Sequence, residues 1–353
     1  MKKTVFGLIL FLMFQSMSAL AQSDVISEVF EAVAQDYVNQ ISNKEIALKG
    51  LKTLSETDGL ILIEDDEQVL YLKKNGKTIK QFEMPEEKAA LNVWADFCKK
   101  VIAQAAEQST KIEVHDFEMP DRFANAVLNG LDGHSRYFSV FSEDGQEQKL
   151  KIKRPFASRV IDNILLMRIV TFKKDISEQV KTAVFECSQC KGIILDLRGN
   201  RGGFLNEAIK IADLFLDEGI ITYTLSDENG APQYYLAGKG DMTASKPMVI
   251  LVDGLTASAA EVLAGALFEQ NRAVLIGTKT YGKGSVQDVK KMDKDRAMAV
   301  TSTYFYTPSG LKIDKIGLSP QICTSESENC DGEDRFSKEE DIDRAVLYLK
   351  TGL

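Results

Sequence analysis

Four short runs, Ile164–Ile169, Gly192–Leu197, Met248–Val252 and Ala273–Ile276, are apolar at nearly every position. Between them lie stretches with helical spacing, such as Ala208, Ile209, Ala212, Phe215 and Leu216. A strand that is apolar throughout has to be buried on both faces, and alternation with helices favours parallel pairing through crossovers. The sequence therefore predicts an α/β fold with a largely parallel sheet covered on both sides. Two later runs, 284–292 and 297–306, flank Met292-Asp293-Lys294-Asp295-Arg296 and read as an antiparallel hairpin.

Upstream the pattern changes. From Asp24 to about Lys52 apolar residues recur at helical spacing, with Val25, Val29, Phe30 and Val33 first. Leu60-Ile61-Leu62-Ile63 and Val69-Leu70-Tyr71-Leu72 read as strands, and Asn75-Gly76 marks a tight hairpin turn. Residues 86–108 read as a helix with Leu91, Trp94, Ala95 and Val101 on one face, which makes the lone tryptophan a core residue. Residues 22–141 are thus expected to form an N-terminal α+β domain. About twenty polar and charged residues follow before the strand at 164, too few for a domain of about 50 or more, so 142–160 reads as a connector. The core spans 161–322, and 323–353 is a C-terminal segment ending in the helix Ile342–Leu349.

Residues 1–21 have the form of a signal peptide: Lys2 and Lys3, an apolar stretch from Val5 to Phe14, then Ala19-Leu20-Ala21. The apolar stretch is shorter than the about 20 residues a membrane span needs, so no stable span is expected after cleavage and the mature chain is expected to be periplasmic or secreted. The net charge of −9 disfavours nucleic acid, whose recognition needs basic patches. In an oxidising compartment Cys187–Cys190 and Cys323–Cys330 fit local disulfides, leaving Cys98 over. A four-cysteine zinc site is the competing arrangement, although the spacing of the second pair is wide for it.

Chemistry concentrates in two segments whose key residues are twenty-five positions apart. Ser258 follows an apolar strand and opens a helix in Val252-Asp253-Gly254-Leu255-Thr256-Ala257-Ser258-Ala259-Ala260-Glu261. Lys283 lies between Gly282 and Gly284 after the next strand. A lysine becomes a general base when burial favours its neutral form, and the helix start places the Ala259 amide where an oxyanion would develop. If the chain is extended beyond Lys283, then Lys283, Ser285 and Gln287 share a face, and the Gln287 amide can orient the lysine without adding charge. Taken singly, Ser258-Ala259-Ala260-Glu261 is a capping box and Gly-Lys-Gly an ordinary turn. Gly277-x-x-x-x-Gly282-Lys283 also nearly matches a phosphate-binding loop, but Gly284 stands where that loop needs Ser or Thr.

These two segments, with Asp196-Leu197-Arg198-Gly199-Asn200-Arg201-Gly202-Gly203 and Thr307-Pro308-Ser309-Gly310, resemble the C-terminal processing peptidases (tail-specific proteases). The resemblance covers roughly 160–322 and implies a crotonase-like ββα peptidase core. It implies Ser258 as nucleophile, Lys283 as base, Gln287 as its orienting amide, and oxyanion donors from Ala259 and from Gly202 or Gly203. It implies protein or peptide substrates cleaved near their C-termini, with neither cofactor nor metal. Gly133 and Arg201 stand where the family often has Pro. The family usually carries a PDZ domain before its core, and 142–160 is too short for one, which leaves residues 22–140 or an adaptor partner to recruit substrate. His134 reads as a turn residue rather than a triad member. Two other functions fit the same residues: a site-specific regulatory protease that does not read a free C-terminus, and a non-catalytic peptide-binding module.

Overall fold

The computed structural model describes residues 24–112, 118–140, 154–226, 230–292, 295–325, 327, 329–330 and 338–352. The chain divides into two compact units, Met1–Gly145 with Gln287–Thr301, and Gln146–Val286 with Ser302–Leu353. The segment read as a signal peptide lies outside the described residues.

The first unit begins with helices α1 (Val25–Asp36), α2 (Asn43–Leu51) and the short α3 (Thr53–Thr57). Strands β1 (Ile61–Asp66), β2 (Val69–Lys74) and β3 (Lys77–Glu83) form an antiparallel sheet in that order. Asn75 and Gly76 both have positive φ, 50° and 74°, as the tight β2–β3 turn requires. Helices α4 (Leu91–Ala106) and α5 (Glu118–Asn129) and strand β4 (Arg136–Ser139) complete the contiguous part. Trp94 is a core residue, set edge-on to Phe97 at 5.9 Å between ring centres, and α2 lies so close to α5 that a Cβ on Gly50 would meet the Phe123 ring at 2.1 Å. Cys98 is unpaired within this core, where burial pushes its thiol pKa far up.

In the second unit β5 (Phe156–Ile161) and β6 (Ile164–Ile169) form a hairpin, followed by α6 (Ile176–Glu186), β7 (Gly192–Asp196), α7 (Leu205–Phe215), β8 (Ile220–Leu225) and β9 (Gln233–Leu236). Then come β10 (Met248–Val252), α8 (Ala259–Glu269), β11 (Val274–Gly277), β12 (Ser285–Lys291), β13 (Arg296–Tyr306), β14 (Ile322–Cys323) and α9 (Lys338–Thr351). The main sheet runs β14-β11-β10-β7-β6-β5, parallel except for β5 at its edge. Residues 156–160 of the connector read from the sequence belong to the strand β5, while its residues 142–153 lie outside the described part.

The alternation of side chains explains the two covered faces. Leu165, Met167, Ile193, Leu195, Ile250 and Val252 belong to the core formed with α6, α7 and α8. Their neighbours Ile164, Leu166, Ile194, Val249 and Leu251 meet Ile342 and Ala345 of α9. The C-terminal helix is therefore what makes both faces of these strands apolar. β13 serves both units, pairing with β4 through Arg296–Ala299 and with β8 through Tyr304–Tyr306. Disulfides join Cys187 to Cys190 and Cys323 to Cys330, which excludes the four-cysteine zinc arrangement. Among the described residues no helix is long and apolar enough to cross a membrane.

Candidate active site

β10 ends in a turn that is fastened before it reaches Ser258. The Asp253 carboxylate Oδ1 accepts the N–H groups of Leu255 and Gly199, each at 2.9 Å, and Thr256 Oγ1 donates to the Leu197 carbonyl at 3.0 Å. The Ala257 N–H donates to the Asn200 carbonyl at 2.9 Å. Ser258 then takes φ 59° and ψ −125° at the N-cap of α8, a conformation that costs a non-glycine residue of order 1–3 kcal/mol and persists only where surroundings fix it. The turn presents Ser258 half-buried at a helix N-terminus, whose partial positive charge favours an oxyanion nearby.

Glu261 is what fixes it. This residue is fully buried, and its Oε2 accepts both the Ser258 N–H and the Lys283 N–H at 2.9 Å. Its Oε1 accepts the Gly282 N–H at 2.7 Å and the Thr280 hydroxyl. Burial raises the Glu261 pKa, while the hydrogen bonds from Thr280, Gly282, Ser258 and Lys283 oppose that rise. In sequence Glu261 reads only as the capping partner of Ser258. In space it also holds the lysine segment, a second role for which the local pattern carries no signal.

The glycines beside Lys283 let other main chain pack against it. A Cβ on Gly284 would lie 2.1 Å from the Asp314 nitrogen, and Gly282, at φ 82°, leaves 3.0 Å to the Gly317 nitrogen. Lys315 N–H donates to the Gly282 carbonyl at 2.8 Å and Phe305 N–H to the Gly284 carbonyl at 2.7 Å. Lys283 itself is half-buried. The N–H groups of Thr278, Lys279, Thr280 and Tyr281 donate to other main-chain carbonyls, and those of Gly282 and Lys283 to Glu261. None is left to cradle a phosphate, which removes the nucleotide-loop reading.

The turn after β7 lies against the serine. A Cβ on Gly202 would fall 2.9 Å from Ser258 Cβ and 3.3 Å from the Ala259 nitrogen, so only glycine fits there, at φ 98°. The Gly202 N–H donates to Asn200 Oδ1 at 2.8 Å, and Asn200 Nδ2 to the Ile169 carbonyl at 3.0 Å. Phe172 bonds the Gly202 carbonyl and the Phe204 N–H, so the Gly203 N–H between them faces away from Phe172. Arg198 is buried, with Nε and Nη2 on the two oxygens of Asp196 at 2.8 and 2.9 Å. Burial opposes ionisation of Asp196, but the Arg198 hydrogen bonds and the charges of Arg198 and Arg168 outweigh it and hold the carboxyl below its usual range.

The second unit thus gathers Ser258, Ala259, Gly202 and Gly203 at one place and ties Lys283 to it through Glu261. Gln287, half-buried on β12, donates from Nε2 to Thr301 Oγ1 at 3.4 Å within the first unit. The first unit also holds His134, whose N–H donates to Asp132 Oδ1 at 2.6 Å in the turn after α5. Glu261, Asn200 and Asp253 are the site residues that the sequence reading missed as structural anchors. Asn200 and Asp253 stand inside the motifs themselves.

Residues 163–324 match the family model "Peptidase family S41". The chain is 37% identical over 170 residues to the carboxy-terminal-processing protease of Bartonella bacilliformis, covering 46% of this chain and 39% of that protein. It is 35% identical over 196 residues to carboxyl-terminal-processing peptidase 2, chloroplastic, of Arabidopsis thaliana, covering 53% of this chain and 36% of the relative. The match therefore spans less than two fifths of either relative's length. In fold, the chain superposes on the crystal structure of a putative peptidase from Parabacteroides merdae with a TM-score of 0.51 at 13% identity, over 88% of this chain and 97% of that one. Over residues 163–324 the chain is thus similar to the peptidases of family S41, and the motifs around Ser258 and Lys283 lie within that matched segment.

Proposed function

We propose that the chain is an exported serine endopeptidase that cleaves protein substrates near their C-termini with a Ser258–Lys283 dyad. The observation that carries this is the shared hold of Glu261 on the Ser258 and Lys283 main chains, with Gly202 packed on the serine. A helix cap alone has no use for the bond to Lys283. Neutral Lys283 takes the Ser258 Oγ proton as the oxygen attacks the scissile carbonyl. The oxyanion is held by the Ala259 N–H and by Gly203, since the Gly202 N–H is already given to Asn200. As the intermediate collapses, Lys283 returns the proton to the leaving amine and an ester to Ser258 remains. Water, deprotonated by Lys283, then attacks the ester carbonyl, and Lys283 passes that proton to Ser258 Oγ as the acyl–oxygen bond breaks and the acid product leaves. Gln287 is assigned the orienting amide on its place in the motif. Recruitment of substrate by residues 22–140 or by a separate partner completes the reading.

The test is hydrolysis of casein by the purified protein and by Ser258→Ala. Activity in the parent and none in the variant is the expected result. An inactive parent that still binds unstructured peptides would instead make the chain a binding module.

A further inference from the structure

Beyond the segment that matches the peptidase family, one side chain reaches the turn beside Ser258. Asp341, in the first turn of α9, is buried, and its Oδ2 accepts a hydrogen bond from Arg198 Nη1 at 2.6 Å. The rest of the Arg198 fork closes on Asp196, whose Oδ2 also takes Arg168 Nη1 at 2.7 Å. Asp341 Oδ1 is buried with no hydrogen-bond partner among the described residues. The carboxylate is therefore withdrawn from water to meet the guanidinium through one of its oxygens.

Docking of α9 does not need that contact. Ile342 and Ala345 already bury against the sheet, and a buried ion pair adds little net stability compared with well-packed apolar residues. What the pair does is grip Arg198 from two sides, which stops its planar group from turning. The main chain of Arg198 leads directly into Gly199, held by Asp253, and Asn200, which binds both Ala257 and Gly202. We propose that Asp341 is a positioning residue: through Arg198 it holds the 198–203 turn in the shape that receives the oxyanion at Ser258. The C-terminal helix then belongs to the catalytic framework. This rests on the dyad reading given above.

The full chain carrying Asp341→Asn, Asp341→Ala or Ile342→Ala is assayed on a fluorogenic peptide taken from its casein fragments, beside Ser258→Ala. Asp341→Ala should lose about ten- to a hundred-fold in kcat, with KM within about twofold, because a small misplacement of an oxyanion donor acts on the transition state. Asp341→Asn should lose less. Inhibition by a peptide boronic acid, whose tetrahedral adduct uses the same donors, should weaken in step with kcat. Ile342→Ala should lower Tm and leave kcat within about twofold. The proposal is overturned if the Asp341 variants lose Tm but keep wild-type kcat and boronate inhibition, or if Ile342→Ala loses as much kcat as they do. Should Asp341→Ala fail to fold, Asp341→Asn decides by the same two readouts. Turnover in Ser258→Ala would overturn the dyad reading, and this proposal with it, whereas a dead Ser258→Ala beside unaffected Asp341 variants overturns this proposal alone.

Discussion

Ser258 and Lys283 donate their main-chain N–H groups to one and the same oxygen, Oε2 of Glu261, each at 2.9 Å. Two segments separated by a helix and a strand are thereby set a single carboxylate oxygen apart. In the proposed mechanism the spacing of Ser258 and Lys283 is governed by a third residue that takes no proton.

Replacing that residue should cost both stability and rate. Glu261→Gln turns an N–H₂ toward donors, and Glu261→Ala leaves four of them without an acceptor inside the protein. A loss of about 3 kcal/mol or more is expected, since each unsatisfied buried group costs about 1–3 kcal/mol. Urea unfolding measures the first effect, and kcat, falling about a hundred-fold in the Gln variant, the second. Wild-type kcat in Glu261→Gln would contradict this account.

The dyad itself should behave as a unit. Ser258→Ala and Lys283→Ala should each abolish turnover, and the double variant should be little worse than either, because groups acting together are strongly non-additive. A lysine base works only without its proton, so kcat/KM should climb with pH through about 7–9. An active Lys283→Ala enzyme with a flat profile there would be inconsistent with the dyad.

Glycines 202 and 203 should separate in their effects. Gly202→Ala drives a methyl group onto Ser258 Cβ at 2.9 Å, so about a hundred-fold or greater loss of kcat is expected with the fold retained. Gly203→Ala meets the Phe172 carbonyl oxygen at 2.3 Å and should lower Tm more. Thermal melts beside kcat for the two variants distinguish them.

Asp196 gives a dependence on acid. Its folded-state pKa lies below the ordinary value of 3.8, so the stability it adds is fully present above that value and is lost as pH falls through the folded-state one. Asp196→Asn should be the less stable protein at neutral pH, with a smaller decline between about pH 5 and 2. Urea midpoints across that range report it, and parallel curves for the two proteins would show that the ion pair adds nothing.

The parts of this fold that the sequence announces are those with a local pattern. Nearly unbroken apolar runs at Ile164–Ile169 and Met248–Val252 mark strands covered on both sides, and Asn75-Gly76 marks its turn. β5 escapes because Ala157, Ser158, Arg159 and Val160 are all exposed, so neither of its faces carries a stripe. Asp341 is invisible for a different reason. Its partner lies 143 positions away, and an acid at the start of a helix is ordinarily a solvated residue near the positive end of the dipole.

The order in which the chain builds its first unit has a consequence for synthesis. Met298 and Val300 belong to the same core as Phe30 and Trp94, and Thr301 accepts the Val38 N–H through its carbonyl. On the ribosome, most domains fold soon after their own residues emerge. Here the core built by residues 25–112 and 118–140 must wait, with part of its apolar surface open, until the hairpin of β12 and β13 has been made. A nascent chain halted between β11 and β12 should therefore engage chaperones through its oldest part.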